Sequence, residues 1–68
     1  MNRKEEILFN DGVWYAIQFL VVERDEPVYA RDLVRDLNLS KQEMRRCQKK
    51  SGFLDEIMYK FINECKQI

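Results

Sequence analysis

Residues Asp32 to Lys50 read DLVRDLNLSKQEMRRCQKK. Two short helical patterns meet there at Asn38-Leu39-Ser40. The first places Leu33, Val34 and Leu37 on one face. The second opens on Ser40-Lys41-Gln42-Glu43, a capping box. In such a box the serine hydroxyl accepts from the backbone N–H of the glutamate three residues on, and the glutamate reaches back to the serine N–H. The second helix is expected to end near Lys50 or Ser51, with Gly52 as a left-handed stop. Asn38 stands where the joint needs a left-handed residue, and after glycine asparagine tolerates that conformation best.

Two helices joined by so short a turn have the sequence form of a helix-turn-helix. The motif needs an apolar seam, and Leu33, Leu37, Leu39, Met44 and Cys47 supply one. Val34 stands where the two helices come closest. With Ser40, Met44, Cys47 and Ser51 turned inward, the outward side of the second helix carries Gln42, Arg45, Arg46 and Lys49, flanked by Lys41 and Lys50. Arginine can bond guanine O6 and N7 in bidentate fashion, and glutamine can do the same with adenine N6 and N7. Cations at the rim neutralise phosphates. Lys41, Gln42, Arg45, Arg46 and Lys49 are therefore the candidate DNA-binding residues. Lys49 and Lys50 also suit the negative end of the helix dipole, which is reason enough for them without any ligand.

The rest of the chain frames this segment. It has 68 residues, 46% hydrophobic and 35% charged, with two glycines and one proline. That length implies one domain, and the large apolar fraction excludes a disordered chain. Twelve basic and twelve acidic residues cancel, but unevenly. Residues 1–39 carry five basic and eight acidic side chains, residues 40–50 five and one, and residues 51–68 two and three. The positive charge is concentrated on the second helix of the pair.

Upstream, residues 2–9 fit a short helix or an extended arm. Asn10-Asp11-Gly12 then interrupts. Asn10 reads as the N-cap of a helix from about Asp11 to Glu23, with Asp11 favourable in its first turn. Asn-Asp-Gly before a run rich in β-branched and aromatic residues is equally a hairpin signal. An isolated hairpin is marginal, so helix is expected over Val13–Val22. Its near-continuous apolarity suits either a central core helix or one with a side against a partner. Pro27 stops what precedes it, and the next helix is expected from about Ala30 to Leu37. Downstream, Leu54, Ile57, Met58, Phe61, Ile62, Cys65 and Ile68 form an amphipathic stripe at helical spacing. The expected fold is an all-α bundle of four helices, five if residues 2–9 form their own. It holds a helix-turn-helix over 30–50, an amphipathic helix over 54–68 and no wing.

Residues 30–50 resemble the helix-turn-helix of small bacterial and phage transcription regulators. Trp14-Tyr15-Ala16-Ile17, followed by Ala30-Arg31-Asp32-Leu33, is similar to the opening of the CaiF/GrlA-type regulators. The resemblance implies a DNA-binding regulator, and Val34 departs from it, since alanine is usual at that position. A domain this small makes few phosphate contacts, so double-stranded DNA is expected to be bound in its major groove by a homodimer formed through the first or the last helix. The competing expectation is a protein-interaction module that grips another regulator, which zero net charge and an over-apolar first helix favour.

Other chemistries find little support. There is no histidine, no glycine-rich phosphate loop and no metal-ligand spacing, so neither an enzyme nor a cofactor is expected. Cys47 and Cys65 read as buried thiols. Asp55-Glu56 reads as favourable charge at a helix start. The longest apolar run, Val13–Val22, is too short to span a bilayer, and the N-terminus has no signal-peptide pattern. A cytoplasmic protein without a membrane role is expected.

Overall fold

The computed structural model describes residues 1–52 and 55–65. It is an all-α bundle of four helices: α1 (Arg3–Gln18), α2 (Pro27–Asp36), α3 (Lys41–Ser51) and α4 (Glu56–Glu64). A five-residue π turn, Phe19–Glu23, continues α1. Among the described residues there is no strand, so the hairpin alternative for Val13–Val22 falls away.

The N-terminal third differs most from expectation. One helix runs through both segments, and its cap is Asn2, whose Oδ1 accepts from the Glu5 N–H at 2.9 Å. Asn10 is no cap. It lies mid-helix, buried, and donates through Nδ2 to Glu43 Oε2 at 2.8 Å. Gly12 is exposed in the helix interior. Asparagine and glycine inside a helix each cost less than about 1 kcal/mol. Tertiary packing of the face that carries Trp14 and Ile17 outweighs that, as it does for most protein helices.

The helix widens at the π turn, where Arg24 N–H donates to Phe19 O at 3.1 Å and Glu26 N–H to Leu20 O at 2.8 Å. Gln18 Oε1 is buried at this junction without a hydrogen-bond partner. Asp25 takes a left-handed conformation, φ 51°, and turns the chain into α2. Pro27 occupies the first turn of α2, where its missing N–H costs nothing. It therefore begins this helix three residues before Ala30, as well as ending the preceding one.

The core is Trp14, Ile17, Val21, Ala30, Val34, Leu39, Met44, Cys47, Met58, Phe61, Ile62 and Cys65. The rings of Trp14 and Phe61 lie 6.4 Å apart and tilted by 55°, within the range in which aromatic pairs attract. On α2 the buried face is Ala30 and Val34. Leu33, expected inside, is 36% exposed, and Leu37 is only partly buried. The buried row keeps the i, i+4 period but is rotated by one residue, so that the β-branched Val34 meets the core. On α4, Met58, Phe61, Ile62 and Cys65 are buried as expected, whereas Ile57 is exposed. Asp55 caps this helix through Oδ1, which accepts from the Ile57 N–H at 2.7 Å. Leu54 and Ile68, also expected on the stripe, lie outside the described residues.

The α2–α3 joint has the expected local chemistry. Asn38 is left-handed, φ 54°, and Leu39 N–H donates to Val34 O at 3.0 Å. Ser40 Oγ accepts from Glu43 N–H at 3.0 Å. Only this half of the capping box forms, because the Glu43 carboxylate is directed elsewhere. Gly52 ends α3 at φ 70°. A Cβ there has open space, so only the backbone opposes one. Gly52→Ala is expected to cost about 1–2 kcal/mol, read as a lower urea midpoint at unchanged slope. An unchanged midpoint would contradict the left-handed stop.

Candidate nucleic-acid interface

The five candidate residues of α3 divide into two sets. Gln42, Arg45 and Lys49 are exposed. Arg45 and Lys49 are one turn apart, and Gln42 lies three residues before Arg45, so the three share one side of the helix. Lys50 is exposed beside them. Neither Arg45 nor Lys49 has a carboxylate partner among the described residues. This side lies opposite Met44, Cys47 and Gln48, which are buried.

Arg46 and Lys41 are committed elsewhere. The Arg46 guanidinium is folded inward against α1 and its own first turn. It donates to Glu43 Oε1 at 2.9 Å, Glu43 Oε2 at 3.1 Å and Asp11 Oδ1 at 3.0 Å. Glu43 also accepts from Asn10 and from Arg3 Nη2, the latter at 3.2 Å. Arg3 pairs in turn with Glu6. The hydrogen bond from Arg46, with those from Asn10 and Arg3, holds the Glu43 carboxyl down to about 2 against the opposing effect of its burial. The same bond to Glu43 raises Arg46 further above its already high value. Lys41 Nζ donates to Asn63 O at 3.1 Å, tying the start of α3 to the C-terminal turn of α4, where free carbonyls favour a cation.

Arg46 is thus corrected from an outward contact to a tie between α3 and α1. Composition hid this, but one local signal was available. Glu43 and Arg46 are three residues apart, a spacing at which helical side chains pair. Nothing local pointed to Asn10, Asp11 or Arg3, more than thirty residues away in the chain.

A second tie joins the same two helices deeper inside, where Trp14 Nε1–H donates to Gln48 Oε1 at 2.9 Å. Gln48 is 1% exposed, and this bond satisfies an amide oxygen that would be costly to bury alone. The two ties fix the roll of α3 about its axis, and so decide which side chains face solvent.

The remaining reactive groups are closed off. Cys47 and Cys65 are free and buried. Burial pushes the Cys47 thiol up to about 11 and raises that of Cys65 as well, which disfavours the nucleophilic thiolate. Among the described residues no group of three or more Cys, Asp or Glu side chains could hold a metal ion. None of the described helices is long and apolar enough to cross a membrane. No family model, curated protein or solved structure matches this chain.

Proposed function

We propose that the chain is a DNA-binding transcription regulator that lays α3 in the major groove, with Gln42, Arg45 and Lys49 toward the bases and phosphates and Lys50 at the rim. The observation that carries this reading is the outward row itself. Three side chains of the types that read or neutralise DNA stand exposed on one side of a capped helix, which follows α2 after a short turn. Arg46 is a positioning residue here. Its pairing with Glu43 and Asp11 keeps the row turned outward. A homodimer through α1 or α4 would place two such helices on paired half-sites.

Fluorescence anisotropy with duplex DNA tests the reading. Affinity is expected to fall steeply with salt, with a slope of about −0.9 per phosphate neutralised. Arg45→Glu combined with Lys49→Glu should weaken binding by at least about tenfold, since each such contact is worth about 1–3 kcal/mol, while the circular dichroism stays that of the parent. Equal binding by this double variant sinks the proposal.

Exposed Val28 and Tyr29 on α2, together with zero net charge, favour a second reading. In it the chain is a protein-interaction module whose partner is another regulator. No DNA binding at ~50 mM salt selects this alternative.

A further inference from the structure

We infer that the solvent side of α1 is the contact surface for a second copy of this chain, packed antiparallel. The inference identifies the surface for the dimer named above, but it rests on α1 alone and not on what α3 binds. Leu8, Gly12, Tyr15 and Phe19 follow one another at spacings of four, three and four. That is the seam of a helix that packs along another helix. The seam faces away from Trp14 and Ile17, so the chain's own core does not cover it. Leu8 is 65% exposed, Tyr15 73% and Phe19 48%. Large apolar side chains aligned on one solvent face of a helix mark an interaction site, whereas scattered ones do not.

The occupant follows from how the row complements itself. An antiparallel second copy, with its two-fold axis level with Val13 and Trp14, sets Leu8 against the partner's Phe19 and Gly12 against the partner's Tyr15. The largest exposed ring then meets the one position without a side chain, and a Cβ added to Gly12 would find nothing within 4 Å in the isolated chain. The same register sets Lys4 against the partner's Glu23. Both are exposed, and neither has an ion-pair partner among the described residues. Glu23 follows Phe19 by four residues, at the end of the π turn, and so continues the row. A notch of about 100 Å³ lined by Tyr15, Gln18, Phe19, Val22 and Glu23 lies where Leu8 of the partner subunit would enter. A parallel pair would oppose Lys4 to Lys4, Glu23 to Glu23 and ring to ring, so charge and size both select the antiparallel arrangement. A closed two-fold contact of this kind uses the same patch on both copies.

Sedimentation equilibrium of the full chain without DNA is the test. The mass is expected to rise with concentration to twice the 8.3 kDa of one chain. Tyr15→Glu, at an exposed site that leaves the fold intact by circular dichroism, should weaken association by about tenfold or more. Lys4→Glu and Glu23→Lys should each weaken it about two- to fivefold at low salt, and the two together should restore it. A monomer at every concentration overturns the inference, as does a dimer indifferent to Tyr15→Glu. Failure of the paired charge reversal to restore association overturns the antiparallel register. Each result is independent of the DNA titration. A chain that dimerises without binding DNA loses only the proposed function, and one that binds DNA as a monomer loses only this inference.

Discussion

Trp14→Ala is expected to unfold the domain. Trp14 is 1% exposed, packs against Phe61 and donates its indole N–H to Gln48. Truncating a buried aromatic costs about 3–5 kcal/mol, and a core this small supplies only ~3–5 kcal/mol in total. The far-UV helical signal at 25 °C should therefore be largely lost. Trp14→Phe separates the two contributions. It keeps a ring beside Phe61 but removes the donor to the buried Gln48 carbonyl, at a cost of about 1–3 kcal/mol. That corresponds to a Tm lower by roughly 10 °C. If Trp14→Ala melts where the parent does, α1 and α3 are not held together in the way described.

Glu43→Gln carries the second large effect. One carboxylate accepts from Arg46, Asn10 and Arg3, and replacing it by a neutral amide leaves the half-buried Arg46 with Asp11 as its one carboxylate partner among the described residues. A loss of about 1–3 kcal/mol at neutral pH is expected, more than an isolated surface ion pair would give. The effect has a pH signature. Glu43 titrates at about 2 in the folded chain, against 4.5 when unperturbed. A carboxyl depressed in this way stabilises fully above its unfolded value and progressively less as pH falls toward its folded one. The parent should therefore lose stability between about pH 5 and pH 2, and Glu43→Gln should lose less over that window, so that the two melting curves converge in acid. Acid limbs that run parallel would remove Glu43 as the centre of the tie. Because the same tie sets the roll of α3, Glu43→Gln should also weaken any DNA binding, without touching a residue of the outward row.

The local chemistry of the two-helix joint was legible residue by residue. Ser40 caps, Asn38 turns left-handed, Gly52 stops, and Met44 and Cys47 go inside. The cap, the turn and the stop depend on neighbours within a turn or two, and short-range sterics and backbone hydrogen bonding decide them. The elements that depart from expectation are those where local preference and distant packing disagree. Asn10-Asp11-Gly12 has the composition of a break, yet it lies inside α1, because its asparagine and aspartate are held by residues of α3. Leu33 fits the apolar period of α2 as well as Val34 does, and only the placement of the neighbouring helices shows which of them is covered.

The same division runs through the candidate interface. Period and composition alone gave α3 a cationic outward side, and Arg45 and Lys49 are there. The chain by itself dictated an all-α bundle, its capped third helix and the inward Leu39, Met44 and Cys47, because those follow from spacing and from interactions a few residues long. Tertiary structure alone decided that Arg46 ties α3 to α1, that Gln48 is buried against Trp14, and that Leu8, Tyr15 and Phe19 are left in solvent. The reason is that an arginine or an aromatic ring pairs with whatever the fold brings within reach, and linear order does not reveal which side of a helix that will be.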